Sequence, residues 1–126
     1  MPQHVLFVCQ SCTFSSMQRE YRGQRGGYHL LQSLLCLQQQ WILQSEYKIE
    51  AVECLSGCNR ACVIALAAPS KTTLMFGDLP ALQSAPAILQ LAEQYHASVD
   101  GIVPRLERPE VLKKGMLARI PPLLSC

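Results

Sequence analysis

The sequence has few charged side chains. Asp, Glu, Lys and Arg make up 16% of its 126 residues, whereas about 25% is usual in a globular domain. Hydrophobic residues reach 49%, which excludes intrinsic disorder, since a disordered chain has low hydrophobicity and high net charge. Long apolar runs are also missing. The longest, residues 61–68, ends at Pro69 and falls well short of the roughly 18–20 residues that a membrane helix needs, so we predict no membrane span.

A secretory signal is missing as well, because the N-terminus has no basic region followed by an apolar segment and a cleavage site. We therefore expect a cytoplasmic protein and, from the length, a single domain over residues 1–126.

Seven cysteines are present. Stable disulfides are uncommon in a reducing cytosol, so cysteines there more often bind metal or carry out redox chemistry. Their odd number also argues against a fully paired disulfide framework.

The charges are unevenly distributed along the chain. Residues 1–25 carry a net +2, residues 26–104 a net −3 and residues 105–126 a net +3. The first segment owes its charge to Arg19, Arg22 and Arg25, and the last forms a basic tail from about residue 101. Either basic segment is a candidate docking surface for an acidic redox partner protein. Nucleic-acid binding is not expected, because the pI of 8.2 is low for such domains.

Apolar periodicity and turn residues predict the order of the secondary structure. The expected elements are a strand over residues 4–9, a loop over 13–28, a helix over 29–44, a strand over 47–54, two strands over 63–68 and 72–76 joined by a hairpin connection, and a helix over 84–96. A parallel strand pair joined by a helix, then an antiparallel hairpin and a last helix, is a thioredoxin-like order. We predict an α/β, thioredoxin-like fold with a central mixed sheet of about four strands and flanking helices.

Four cysteines form two close pairs, each at the end of a predicted strand. Cys9 and Cys12 follow the first strand, and Cys54 and Cys58 follow the second. In a parallel βαβ unit both pairs emerge at the same edge of the sheet, so four thiols can converge there. Four soft thiolate ligands suit either a [2Fe–2S] cluster or a Zn²⁺ ion. The long separation of the two pairs is unusual for a zinc ribbon.

Residues 54–61 read Cys-Leu-Ser-Gly-Cys-Asn-Arg-Ala, which is similar to the C-L-x-x-C-x-x-A signature of thioredoxin-like [2Fe–2S] ferredoxins. The whole chain, above all residues 54–68 and 108–123, resembles an uncharacterised bacterial family of predicted metal-binding proteins. The resemblance implies a [2Fe–2S] electron carrier that exchanges one electron with redox partners. It is also compatible with a homodimer.

The ferredoxin ligand pattern carries over to Cys9, Cys12, Cys54 and Cys58. Three residues beside the second pair would tune the properties of the site, namely Gly57, Asn59 and Arg60. Gly57 permits a tight turn with amides near the sulfurs, and Arg60 is a nearby cation. The sequence departs from the pattern in the narrow spacing of its first pair and in Cys62, where those ferredoxins commonly have proline. Cys62 is therefore a candidate spare ligand.

Two other functions remain open. A zinc-binding or metal-handling protein would use the same cysteines, and a thiol oxidoreductase would need only Cys9 and Cys12. The oxidoreductase requires a helix N-terminus that lowers the thiolate pKa, and the polar stretch after Cys12 is a poor helix candidate. No catalytic acid–base pair, serine triad or phosphate loop is present, so we do not predict an enzyme. We expect Cys36 in the core, Cys126 as an unliganded terminal thiol and the three histidines as surface or hydrogen-bonded residues.

Overall fold

The computed structural model describes residues 3–15, 17–53 and 61–122. In chain order its elements are β1 (His4–Cys9), β2 (Glu20–Tyr21), β3 (Gln24–Arg25), α1 (Gly26–Gln38), β4 (Tyr47–Val52), β5 (Ile64–Ala67), β6 (Thr73–Phe76), α2 (Ala85–Ala97) and β7 (Met116–Ile120), with short 3-10 helices at Arg105–Glu107 and Glu110–Leu112. Within these described ranges, no helix is long and apolar enough to cross a membrane.

The main sheet contains five strands in the order β4-β1-β5-β6-β7. β1 lies between β4, which is parallel to it, and β5, which is antiparallel. The predicted parallel pair joined by the first helix is confirmed, as is the β5–β6 hairpin. The sheet has one strand more than the roughly four that were predicted, because residues 116–120 of the tail pair with β6. Pairing with a distant strand is a long-range interaction that local sequence patterns do not encode.

The core lies where α1 and α2 pack against the same set of sheet residues. Alternate side chains of the strands point toward the helices, since successive strand residues face opposite sides of a sheet. The buried strand side chains are Leu6, Val8, Ile64, Leu66, Leu74 and Phe76, and the helices contribute Leu30, Leu34, Ile88, Leu91 and Tyr95. Full burial of one such side chain stabilises the fold by about 1.5–3 kcal/mol, so this layer holds the sheet and helices together.

The first helix differs from its prediction at both ends. α1 begins at Gly26 rather than residue 29 and ends at Gln38, before Trp41 and Ile42. Its buried residues include Leu30, Leu31 and Leu34. Cys36 lies about 200° around the helix from position 34 and is exposed. The expectation that Cys36 belongs to the core is therefore wrong, because its angular position turns it away from the apolar stripe.

A polar cluster lies at the end of β1 opposite Cys9. The Lys71 ammonium Nζ is 3.0 Å from His4 Nε2, 2.9 Å from the Tyr95 carbonyl oxygen and 3.0 Å from the His96 carbonyl oxygen. Lys71 thereby binds carbonyl groups at the C-terminus of α2, where a cation is favourable. His4 is half-buried and its ring nitrogen has a hydrogen-bond partner, as the sequence predicted.

The contact between Lys71 and His4 predicts a pH dependence of stability. Burial lowers the pKa of His4 below its ordinary 6.5, and the charges of Lys71 and His96 lower it further, while Glu46 opposes them. As the pH falls through about 6.5, the unfolded chain binds a proton that the folded chain resists, so the free energy of unfolding decreases. Urea denaturation of His4→Gln, which keeps a hydrogen-bond acceptor, should show a smaller decrease between neutral pH and about pH 5. Equal decreases in both proteins would contradict this account.

Candidate metal centre

Residues 9–13, called the cysteine loop below, leave the end of β1 and are held on both sides by neighbouring backbone. The amide of Gln10 donates to the carbonyl oxygen of Val52 at 2.8 Å, and the amide of Cys9 donates to that of Val63 at 3.0 Å. At the far end of the loop, Thr13 forms a parallel bridge with Ala61. The loop therefore extends the strand order β4-β1-β5 beyond the regular sheet.

The thiols of Cys9 and Cys12 lie in a second, smaller apolar cluster. Both residues are 0% exposed and pack with Val63, while Met75 and Leu117 lie against them. Burial raises the pKa of Cys12 well above its ordinary value, and its contact with Cys9 raises it further. A hydrogen bond from the Val63 backbone acts in the opposite direction. The Cys12 thiol therefore resists deprotonation, and its sulfur already accepts a hydrogen bond from the Val63 amide.

Glu53 and Ala61, the residues that border positions 54–60, both contact the cysteine loop. On one side, the Ser11 hydroxyl donates to the carbonyl oxygen of Glu53 at 2.6 Å, and Cys9 Sγ lies 3.9 Å from that oxygen. On the other side, Ala61 pairs with Thr13. The segment between them carries the predicted sites Cys54, Gly57, Cys58, Asn59 and Arg60, which lie outside the described residues. The second ligand pair and its neighbours therefore stay predictions.

The start of α1 lies directly against the cysteine loop. The amide of Gly27 donates to the carbonyl oxygen of Cys12 at 3.3 Å. A Cβ atom on Gly27 would overlap with the carbonyl oxygen of Cys9, and one on Gly26 would overlap with that of Thr13. Only glycine permits this approach, which brings the positive end of the helix dipole to the loop. Sequence reasoning assigned both glycines to a loop, although Gly26-Gly27 just before a leucine-rich stripe was the available signal.

Cys62 is near the thiol pair but packs differently. It is 0% exposed and belongs to the core beneath the helices, and burial raises its pKa to about 12, with a smaller contribution from Cys9. Among residues 3–15, 17–53 and 61–122, no three His, Cys, Asp or Glu side chains form a group that could hold a metal ion. Cys62 thus does not complete a three-ligand site with Cys9 and Cys12, and this arrangement favours a packing role.

Residues 6–122 match the model of a family described as a protein of unknown function, DUF1636. The chain belongs to this family. The predicted membership of an uncharacterised family is thereby confirmed. No curated protein is similar enough to this DUF1636 protein to count as a relative.

Among solved structures, the DUF1636 chain is similar to a thioredoxin-like [2Fe–2S] ferredoxin from Aquifex aeolicus. The TM-score is 0.58, the sequence identity is 13%, and the alignment covers 99% of this chain and 100% of that one. At such low identity the similarity shows the fold alone. It confirms the predicted thioredoxin-like architecture.

The contact between α1 and the cysteine loop predicts that Gly27→Ala is destabilising. The added methyl group meets backbone rather than a flexible side chain, so the helix or the loop must move, and overpacking of this kind costs about 1–3 kcal/mol. We expect a lower free energy of unfolding in chemical denaturation and a lower metal content per chain. Gln32→Ala, at an exposed position of the same helix, is the control. Unchanged stability and metal content in Gly27→Ala would show that the close approach is not required.

The packing of Cys62 predicts that its thiol is dispensable for metal binding. Cys62→Ala should leave the iron and zinc content per chain nearly unchanged, while removal of a buried sulfur lowers stability by about 1 kcal/mol. Elemental analysis of Cys62→Ala, Cys58→Ala and the exposed-site control Cys36→Ala measures this. A metal loss in Cys62→Ala equal to that in Cys58→Ala would overturn the proposed ligand set.

Proposed function

We propose that this protein is a one-electron carrier that holds a [2Fe–2S] cluster through Cys9, Cys12, Cys54 and Cys58. The observation that carries the proposal is the position of the cysteine loop. Two adjacent buried thiols lie at the end of the parallel pair β1–β4, and the residues that border the segment with the other two cysteines both contact this loop. In the sequence, Cys54 directly follows Glu53 and Cys58 comes three residues before Ala61, which supports the proposed ligand set.

The described residues fit such a group. Thiolates are the ligands that iron–sulfur clusters use, and a thiol that coordinates a metal is deprotonated, with its proton passing to solvent. Burial raises the pKa of Cys12, so metal binding at this thiol releases a proton and is stronger at higher pH. The Val63 amide that hydrogen-bonds to Cys12 favours negative charge on that sulfur, and the N-terminus of α1 contacts the backbone of the same loop.

The protein and the cluster would have separate tasks. When bound, the cluster supplies reversible one-electron chemistry. Val63, Met75 and Leu117 cover the first thiol pair and exclude water from it, while Gly27 holds the Cys12 carbonyl and thus the loop. The Aquifex aeolicus protein of the same fold is itself a [2Fe–2S] ferredoxin, which supports the proposal. A cytoplasmic location suits thiol ligands, since a reducing compartment keeps them from forming disulfides.

Zinc binding is the second candidate, because the same buried and closely spaced thiols suit a tetrahedral Zn²⁺ site. A thiol oxidoreductase is less consistent with the structure. Such enzymes place a reactive thiol of lowered pKa at the start of a helix. Here burial raises the pKa of Cys12, and the chain continues from the cysteine loop into the β2–β3 hairpin rather than into a helix.

A visible absorption spectrum of protein purified without oxygen tests the proposal. We expect a red-brown solution that bleaches when dithionite is added, because a [2Fe–2S] cluster absorbs visible light and accepts one electron. A colourless sample that contains zinc and cannot be reconstituted with iron and sulfide would instead establish the zinc-binding alternative.

Cysteine variants separate the remaining functions. Cys9→Ser and Cys54→Ser should each lose most of the chromophore or the bound zinc, since each removes one of four proposed ligands. Cys36→Ser, which alters an exposed thiol, should retain it. If Cys54→Ser instead kept full dithiol reductase activity in a metal-free protein, the oxidoreductase would be the correct function.

A further inference from the structure

A basic hairpin lies beside the cysteine loop. Residues 19–25, called the arginine hairpin below, contain β2, β3 and a tight turn at Arg22 and Gly23, both of which have positive φ angles. The hairpin carries three arginines and a single acidic residue, Glu20. Arg19 and Arg22 are exposed, and within the described part of the chain no ion pair neutralises any of the three arginines. The hairpin thus presents a net charge of +2 to solvent.

Aromatic contacts fix this hairpin to the site. Phe14, two residues after Cys12, donates its amide to the carbonyl oxygen of Arg19 at 3.0 Å. Its ring stacks on Tyr21 with centroids 4.8 Å apart and an interplanar angle of 13°. The Arg22 guanidinium lies 5.3 Å above the centre of the Tyr21 ring, in a cation–π contact. The backbone of the hairpin is therefore fixed to the residues that follow Cys12, and the Arg22 guanidinium is held on the stacked Tyr21 ring.

An apolar groove lies next to Phe14. It has a volume of about 580 Å³ and runs between Phe14 and Ser15 on one side and residues 78–83 on the other, with Ala61 also lining it. Leu82 is half exposed in this lining, and Asp78 is the acidic residue that lines it. Because Thr13 and Ala61 form a bridge, the groove starts at the residues that directly follow Cys12 and precede Cys62. An apolar centre with a charged rim is the usual arrangement of a protein interface.

We propose that the arginine hairpin and this groove form the docking surface for a redox partner protein with an acidic face. This inference rests on the proposed function. Carboxylates of the partner would contact the arginines, while its apolar side chains would cover the groove beside the metal centre. One electron would pass from the reduced cluster to the acceptor of the partner, with no proton transferred and no bond formed. Complementary charge of this kind mainly raises the association rate.

Small redox probes of opposite charge test the surface. The dithionite-reduced protein is oxidised by anionic tris(oxalato)cobalt(III) or by cationic hexaamminecobalt(III), and each Co(III) ion takes up one electron. Arg19→Glu/Arg22→Glu should slow oxidation by the anionic probe about tenfold or more at low ionic strength. The same variant should speed oxidation by the cationic probe. Arg19→Gln/Arg22→Asn removes both charges without reversing them, and asparagine adopts the positive φ angle of position 22 readily. With the anionic probe this variant should react at a rate between those of the wild type and the glutamate variant.

The matched control is Lys48→Glu/Arg119→Glu. It makes the same change in net charge at two exposed residues of the edge strands β4 and β7. We expect a clearly smaller effect on the rate with the anionic probe than in the hairpin variant, since neither residue belongs to the arginine hairpin or lines the groove and exposed charges are screened within about 10 Å. Equal slowing in the hairpin variant and the control would overturn the docking surface, because overall charge or the basic tail would then explain the rate. In that case the visible spectrum would still support the electron carrier.

Binding of poly-L-glutamate, measured by calorimetry at low salt, does not require the cluster. We expect binding to the wild type and to the control, and at least about tenfold weaker binding to the hairpin variant. This result with a colourless protein would contradict the proposed function but retain the docking surface for an acidic partner. Tighter binding of a single-stranded oligonucleotide than of poly-L-glutamate would overturn the proposal, since it would assign the arginines to a nucleic acid.

Discussion

The close approach of α1 to the cysteine loop is the constraint on which the site depends. Gly26 and Gly27 allow the first turn of the helix to touch the carbonyl groups of Cys9 and Thr13. The same helix carries Leu30 and Leu34 into the core, so its packing on the sheet also positions the loop. Stability of the core and geometry of the thiol pair are therefore coupled through one helix.

Burial of the thiols has opposite consequences with and without a metal. In the free protein burial raises the pKa of Cys12, because a low-dielectric environment disfavours thiolate. A bound cationic group reverses this preference and gains from the same exclusion of water. The Val63 amide adds a fixed hydrogen-bond donor at the sulfur of Cys12. The site is thus better arranged for metal coordination than for a thiolate nucleophile.

The two ends of β1 have different roles. At its N-terminal end, His4, Lys71 and the last carbonyls of α2 form a satisfied polar cluster that fixes the helix to the sheet. At its C-terminal end, the backbone leaves the sheet and carries the thiols, the aromatic stack of Phe14 on Tyr21 and the arginine hairpin. Redox chemistry and partner recognition would therefore share one edge, which a one-electron carrier needs because electron transfer is short-ranged.

The sequence by itself determined the order β1, α1, β4, β5, β6 and α2 and the placement of Cys9 and Cys12 at the end of β1, because periodicity, turn residues and βαβ geometry are local or nearly local signals. The predicted loop over residues 13–28 was wrong in part, since it contains the β2–β3 hairpin and the start of α1. Only the tertiary structure decided the fifth strand at residues 116–120, the exposure of Cys36 and the contact of Gly27 with Cys9. Each of these depends on which distant backbone a segment meets, or on the angle at which a helix faces the sheet. The tertiary structure also decided that Cys62 packs in the main core while Cys9 and Cys12 pack in the smaller cluster. Spacing in the sequence does not say toward which core a side chain points.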